Sequence, residues 1–187
     1  MSDVIDPDGF RANVGIVLMR GALVFLGRRT GGRGWQFPQG GVREGETPAD
    51  ALYRELDEEI GVARSGVALI GQTAQWLSYR LPPRYIRRNQ RPLCIGQKQR
   101  WFLLRLAADE VTFDFGRTSE PEFDQFRWAP YWEPVREVIY FKRPVYASAL
   151  TELAAAAFAP GQCPPQPAWW DRVTARGSRR TAAAPVS

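Results

Sequence analysis

The chain has 187 residues, of which 44% are hydrophobic, 12% aromatic and 24% charged, a composition typical of one folded globular domain. These values exclude a wholly disordered protein, and no apolar run reaches the roughly 20 residues that a membrane helix needs. The chain contains no histidine, which excludes Ser-His-Asp and Cys-His catalysis and histidine-bound zinc. Any catalysis therefore depends on carboxylates, arginine, lysine, tyrosine or a hard metal ion.

The predicted elements start with two strands, and they continue with a helix, four further strands and two more helices. The strands are predicted at 12–19, 23–27, 67–72, 75–79, 100–106 and 126–129, and the helices at 48–60, 133–138 and 143–158. After Pro160 the chain is rich in Gly, Pro, Ala, Ser and Arg. We therefore expect a domain of residues 1–160 and a basic, disordered tail of residues 161–187.

The first predicted helix has a clear start and a clear end. Thr47 suits the N-cap, Asp50 suits the capping box, and Pro48 suits the first helical position. Gly61 suits the left-handed residue that ends a helix. The helix therefore spans 13 residues, from 48 to 60.

Three glutamates share one face of this helix. At about 100° per residue, Glu58 and Glu59 lie about −60° and about +40° from Glu55. Like charges at these spacings weaken a helix, and a bound divalent cation removes that penalty. Carboxylate oxygens suit Mg²⁺ or Mn²⁺, although the same pattern is also common on solvated helices.

The glutamates belong to a longer pattern: a glycine, five residues, a glutamate, seven residues, then Arg-Glu-aliphatic-any-Glu-Glu-any-Gly-aliphatic. The fixed positions are filled by Gly40, Glu46, Arg54, Glu55, Leu56, Glu58, Glu59, Gly61 and Val62. A chance match is on the order of 10⁻⁹ per start site. The segment resembles the Nudix box, which is the signature of the Nudix hydrolases.

This resemblance implies an α/β fold, the Nudix α/β/α sandwich with a mixed β-sheet. It implies that Glu55, Glu58 and Glu59 bind the metal and that Arg54 orients them. Structural roles are implied for Gly40, Glu46 and Gly61. The implied reaction is metal-dependent attack of water on phosphorus in a nucleoside diphosphate linked to another group, without a covalent intermediate.

Strings outside the box resemble the RNA pyrophosphohydrolases of bacteria, Nudix enzymes that act on 5′-triphosphorylated RNA. Residues 94–104 and 141–142 carry this likeness, whereas residues 35–41 are shared with dinucleoside-polyphosphate hydrolases. The resemblance implies that Glu122 completes the metal site, and the general base stays open among the four glutamates. It also places Arg29, Tyr79, Phe141 and Lys142 near the first nucleotides.

A long stretch of the chain is basic. Residues 61–108 contain nine basic and no acidic side chains, which is typical of a surface for a polyanion, although a solvated loop has the same composition. Prolines place its densest part, 80–91, in a long loop. We expect further RNA contacts from Arg84, Arg87, Arg88 and Lys98.

The expected function is metal-dependent removal of pyrophosphate or phosphate from triphosphorylated or diphosphorylated RNA. The product is 5′-monophosphate RNA, and its formation initiates mRNA decay. One alternative is hydrolysis of dinucleoside polyphosphates such as diadenosine tetraphosphate or pentaphosphate. Another is an RNA-binding or scaffold protein on an inactive Nudix fold.

The expected setting follows from the cysteines and the first ten residues. Cys94 and Cys163 are too few for a disulfide framework or a thiolate zinc site. Residues 1–10 contain three aspartates and no signal-peptide pattern. We expect a cytoplasmic bacterial monomer with 5′-phosphorylated RNA as its partner and with no membrane or disulfide partner.

Overall fold

Strands and helices alternate along the computed structural model, which describes residues 4–108 and 111–181 and their side chains up to residue 175. The strands are β1 (Phe10–Arg20), β2 (Leu23–Arg29), β3 (Trp35–Gln36), β4 (Gln39–Gly41), β5 (Val67–Gln72), β6 (Leu77–Arg80), β7 (Gly96–Leu106) and β8 (Phe123–Pro130). The helices are α1 (Pro48–Ile60), α2 (Pro134–Glu137), α3 (Arg143–Ala157) and α4 (Trp170–Thr181).

The two longest strands, β1 and β7, form the centre of one sheet. They run parallel, and Phe10 lies opposite Gly96 at one end of the pairing. The main path of the sheet is β3-β2-β1-β7-β5, while β4 pairs with β1, β6 with β7 and β8 with β2. All these other pairings are antiparallel, which confirms the expected mixed sheet.

The alternation of side chains along β1 creates two separate cores. Val14 and Ile16 face one side, where the buried Leu52 and Leu56 of α1 pack against them. Val17 faces the other side, where α3 and α2 contribute buried side chains. The sheet therefore lies between two helical layers, and the predicted α/β/α sandwich is confirmed.

The ends of α1 agree with the prediction to the residue. Oγ1 of Thr47 accepts a hydrogen bond of 3.2 Å from the backbone N–H of Asp50, which completes a capping box. Gly61 has φ 70°, a left-handed conformation that favours glycine. These caps fix where α1 starts relative to the loop before it.

The C-terminal prediction was wrong for part of its range. Residues 161–187 were expected to form a disordered tail, but α4 begins at Trp170 and packs against α3. Trp170 and Val173 of α4, and Trp169 just before it, contact the core on that side of the sheet, and their burial favours the folded segment. Residues 182–187 lie outside the described part, and the domain boundary at residue 160 stays a prediction.

A membrane-spanning helix needs about 20 mostly apolar residues. Among residues 4–108 and 111–181, no helix has both the length and the hydropathy to span a bilayer.

Candidate active site

The candidate site lies where the carboxylate-bearing face of α1 meets β4. Gly40 of β4 lies directly against Glu55 of α1, and a side chain at position 40 would overlap the Glu55 carboxylate. Glycine is therefore required here because of this close approach. It allows the carboxylate-bearing face of α1 to pack directly on the strand.

Arg54 holds the acidic side chains in place. Its Nε donates to Oε1 of Glu46 at 2.7 Å, and its Nη2 donates to Oε2 of the same residue at 2.9 Å. Its Nη1 donates to Glu55 at 2.6 Å and to Glu58 at 3.1 Å. Nη2 also donates to the carbonyl oxygen of Gly41 at 2.7 Å, so the guanidinium joins α1 to β4 and to the intervening loop.

These contacts change the acidity of the groups involved. The hydrogen bonds from Arg54 are the main reason why the pKa of Glu46 is lowered. The same carboxylate raises the pKa of Arg54 above its ordinary value. Glu46 and Arg54 therefore form a fully charged pair at neutral pH.

The pKa values of Glu55 and Glu59 are raised, in contrast with that of Glu46. Loss of hydration raises the pKa of Glu55, and the nearby Glu58 adds to this effect. Loss of hydration also raises the pKa of Glu59 well above its ordinary value, with Glu55 and Glu122 as nearby negative charges. Glu59 is positioned by the backbone N–H of Gln39, which donates to its Oε2 at 3.0 Å. Negative charge is thus concentrated around Glu59.

Glu122 reaches this site from the loop before β8. The pairing of β8 with β2 places it beside Arg29, whose Nε donates to Oε1 of Glu122 at 2.8 Å. Nε2 of Gln36 donates to the same oxygen at 3.1 Å. Glu122 is also near enough to Glu59 of α1 for its negative charge to raise the pKa of that residue, although about 60 residues separate the two in the sequence.

The donor set fits a hard divalent cation. It consists of carboxylates, the ligands that such ions prefer. Burial is the main reason why the pKa values of Glu55 and Glu59 are raised, and the neighbouring carboxylates add repulsion that a cation would relieve. In the described residues, no three acidic, histidine or cysteine side chains are arranged to enclose a metal ion. Glu58 is paired with Arg43 at 3.2 Å, and Glu122 is paired with Arg29.

A cleft of about 280 Å³ lies next to the carboxylates. Aromatic and basic side chains line it, namely Arg29, Arg33, Trp35, Tyr79, Tyr85, Arg87, Phe141 and Lys142. The ring of Phe141 lies 5.8 Å from that of Tyr79 and 5.0 Å from that of Tyr85. Rings and guanidinium groups in this arrangement suit the stacking of a nucleobase.

Lys142 lies buried between the cleft and the carboxylates. Its Nζ donates to Oε1 of Gln39 at 3.1 Å and to Oε1 of Gln36 at 3.3 Å. Loss of hydration, with Arg29 as a nearby positive charge, lowers its pKa to about 8. The amine is thus held by amide oxygens at the boundary of the two regions.

The other predicted contacts lie farther out. The guanidinium of Arg84 lies 5.0 Å from the ring of Tyr85, and Arg88 is exposed. Lys98 pairs with Asp6 at 2.8 Å and does not line this cleft. These residues stay predicted RNA contacts.

Sequence reasoning missed several side chains at the site. Gln36 and Gln39 lie within a string that was recognised only as a family likeness, and Arg43 fills a variable place in the box. Arg33 lies in a loop and Tyr85 ends a short 3-10 turn, and in neither place does a periodic pattern identify a functional side chain. Only their positions around the cleft single them out.

The sequence of this chain is similar to those of known bacterial proteins. A chain from Alkalilimnicola ehrlichii named RNA pyrophosphohydrolase is 53% identical over 165 residues, covering 88% of this chain and 91% of that one. A chain of the same name from Pseudomonas putida is 55% identical over 152 residues, covering 81% of this chain and 96% of that one.

Similarity to solved structures concerns the fold alone. Dihydroneopterin triphosphate pyrophosphohydrolase from E. coli has a TM-score of 0.59 and 19% identity, over 75% of this chain and 94% of that one. The C. elegans Ap4A hydrolase in a binary complex has a TM-score of 0.58 and 16% identity, over 77% of this chain and 95% of that one. The NUDIX domain model matches residues 9–149. The box, the carboxylate cluster, the fold and these matches together establish that the chain belongs to the Nudix family.

Proposed function

We propose that this chain is a metal-dependent RNA 5′ pyrophosphohydrolase, which converts 5′-triphosphorylated or 5′-diphosphorylated RNA to 5′-monophosphate RNA. The observation that carries the proposal is the position of Arg29. This side chain contacts Glu122 in the carboxylate cluster and also lines the aromatic cleft. A terminal phosphate chain and its first nucleotides would thus bind to contiguous surfaces.

The carboxylates Glu55, Glu58, Glu59 and Glu122 would hold the divalent cation, with Mg²⁺ or Mn²⁺ as the proposed ion. When bound, such an ion neutralises phosphate oxygens and lowers the pKa of water. One of the four carboxylates accepts the proton of the water that attacks phosphorus. Arg54 keeps Glu55 and Glu58 in position through its hydrogen bonds, while Glu46 fixes Arg54.

Two cations lie on the cleft side of this cluster. Arg29 is near enough to Lys142 for its positive charge to lower the pKa of the lysine. Both side chains lie near Glu122. We place the phosphate chain of the RNA against them, since charged donors bind phosphate oxygens strongly. Phe141 and Tyr79 would contact the base of one of the first nucleotides.

The loop between β6 and β7 would guide the rest of the RNA. It carries Arg84, Arg87 and Arg88, and Arg87 lines the cleft while Arg88 is exposed. Lys98, on β7, would contribute a more distant contact. A cation row that starts at the cleft fits an RNA backbone that continues beyond its first nucleotides.

The named relatives support this choice of substrate. Chains more than half identical to this one carry the name RNA pyrophosphohydrolase. We also propose that the chain works as a monomer in the bacterial cytoplasm, where removal of pyrophosphate would initiate mRNA decay.

The experiment that tests the proposal is identification of the products. RNA with a 5′-triphosphate, labelled in the β- and γ-phosphates, is incubated with the full chain and Mg²⁺ or Mn²⁺. We expect release of labelled pyrophosphate or phosphate and formation of 5′-monophosphate RNA, and we expect chelation by EDTA to stop the reaction. RNA that keeps its label under both metals would refute the proposal.

Hydrolysis of dinucleoside polyphosphates is the second candidate, because a cleft with Tyr79 and Phe141 would also accept an adenine ring. The salt dependence of KM separates the two substrates. The KM for a long RNA should rise steeply with salt, since several arginines contact its backbone, whereas the KM for diadenosine tetraphosphate should change less.

A further inference from the structure

We propose that residues 164–175, here called the C-terminal brace, position the cleft wall that carries Phe141 and Lys142. The inference rests on the proposed function for its consequence in RNA binding. The brace lies beyond residue 149, where the match to the family model ends. It therefore adds a support to the site that the family model does not include.

The brace is attached to the segment that precedes the cleft wall. Nε1 of Trp132 donates to the carbonyl oxygen of Pro164 at 2.8 Å. The ring of Trp170 lies 5.0 Å from the ring of Trp132, edge to face. The guanidinium of Arg136, on α2, lies 5.5 Å from the ring of Trp169. Three contacts of different kinds thus hold the brace against residues 132–136.

The cleft wall follows this anchored segment directly. Residues 138–142 include a 3-10 turn from Tyr140 to Lys142, and four of them line the cleft: Val138, Ile139, Phe141 and Lys142. α4 packs against this turn and against α2 and α3. The turn therefore contacts the brace and also lines the cleft.

The same apolar cluster connects both sides. Trp132, Val138 and Phe141 are buried in one core, and Trp169, Trp170 and Val173 pack against that core. Because core side chains are closely packed, loss of an indole ring on the brace would loosen its neighbours. The turn that carries Phe141 and Lys142 would be affected directly, because α4 packs against it.

The chain offers a direct readout of this positioning. It contains only two lysines, the buried Lys142 and the half-buried Lys98. Lys98 forms an ion pair with Asp6 and does not line the cleft. Brief acylation with acetic anhydride, followed by mass spectrometry, measures the labelling of Lys142 relative to Lys98. We expect slow labelling of Lys142 in the unmodified chain and several-fold faster labelling after Trp170→Ala or Trp169→Ala, with Lys98 unchanged.

The kinetic consequence is measured with 5′-triphosphate RNA. Loss of preorganisation at two side chains should raise KM by about tenfold. The value of kcat should stay within about twofold, because in the described part of the chain the brace packs mainly on α2, α3 and the 3-10 turn rather than on α1, which carries three of the four carboxylates. Trp170→Phe retains an aromatic ring and should restore most of the original KM.

Phe113→Ala is the matched control, since it removes a ring from the core on the opposite face of the sheet. It should lower the melting temperature without faster labelling of Lys142. Equal labelling of Lys142 in Trp170→Ala and the unmodified chain would overturn the inference, as would faster labelling in Phe113→Ala. If the unmodified chain does not hydrolyse RNA, the proposed function fails, while the labelling experiment still decides the role of the brace.

Discussion

Arg54 and Glu46 form the most strongly held ion pair of the site. Both side chains are mostly buried, with 16% and 13% of their surfaces exposed, and two hydrogen bonds join them. Partly buried bidentate pairs stabilise a fold more than exposed pairs do. The pair therefore serves both the stability of the chain and the position of the carboxylate-bearing face of α1.

This pair predicts a specific dependence of stability on pH. The pKa of Glu46 is lowered in the folded chain, so its contribution is present above the ordinary glutamate pKa and is lost as the pH falls through the folded value. Glu46→Gln should lower the free energy of unfolding by about 1–2 kcal/mol at pH 7. Urea denaturation should show that this difference shrinks below about pH 4.

Glu44→Gln provides the comparison for this experiment, because Glu44 is an exposed glutamate of the same loop. It should leave stability at pH 7 nearly unchanged. An equal loss of stability from both substitutions would show that the Arg54 pair has no special role.

Glu58 and Glu59 are predicted to be essential for turnover. Glu58→Ala or Glu59→Ala should lower kcat/KM by at least about 100-fold, since each change removes a charge that would hold the cation. The circular dichroism spectrum should be unchanged. Asp57→Asn is the control on the same helix, because Asp57 is half exposed and, among the described residues, forms an ion pair with Arg117 alone, at 3.8 Å. Activity of either glutamate variant at the level of this control would rule out the assigned metal site.

At the scale of elements, the packing of α1 on β4 decides whether the site forms. Gly40→Ala would force the Glu55 carboxylate to move, because the new methyl group would occupy its position. A displacement of about 1 Å at a catalytic group can lower the rate by about 100-fold. We therefore expect a fall of that order in kcat, with a smaller effect on the melting temperature.

Gly66→Ala tests whether any added methyl group has this effect. At Gly66 a side chain would meet only Val62, at 3.4 Å. This variant should retain the kcat of the unmodified chain. A Gly40→Ala variant with full activity would mean that Glu55 needs no fixed position.

The loop between β6 and β7 is predicted to contact the RNA backbone. Replacement of Arg84, Arg87 and Arg88 by alanine should raise the KM for RNA and should leave kcat nearly unchanged. Each lost phosphate contact reduces the slope of log K against log salt by about 0.7, so the slope should fall by about 2 for three contacts. Arg64→Ala is the control, since Arg64 lies beside Tyr53 and lines no part of the cleft. An unchanged slope in the triple variant would contradict the role of the loop.

The whole molecule shows which features a sequence can reveal. The limits of α1 were predicted because its caps lie within a few residues of the helix. β3 and β4 were missed, since two or three residues are too few to show an alternating pattern. α4 was missed because its sequence has a polar, loop-like composition, and its tryptophans are stabilised only by packing on distant residues.

Some residues of the candidate site could likewise be predicted from the local sequence, whereas others could not. Glu55, Glu58 and Glu59 could be predicted as a group because one helix turn places them together. The approach of Glu122 and Arg29 depends on the pairing of β8 with β2, which no local pattern specifies. The burial of Lys142 likewise follows from the assembly of several elements around a short turn.

The most direct test of the proposed function compares three substrates under one condition. The full chain with Mg²⁺ is given 5′-triphosphate RNA, 5′-diphosphate RNA or diadenosine tetraphosphate, and kcat/KM is measured for each. We predict a higher kcat/KM for at least one of the RNAs than for the dinucleotide, with 5′-monophosphate RNA as the product. A higher kcat/KM for diadenosine tetraphosphate would contradict the proposal and would assign the site to small nucleotides.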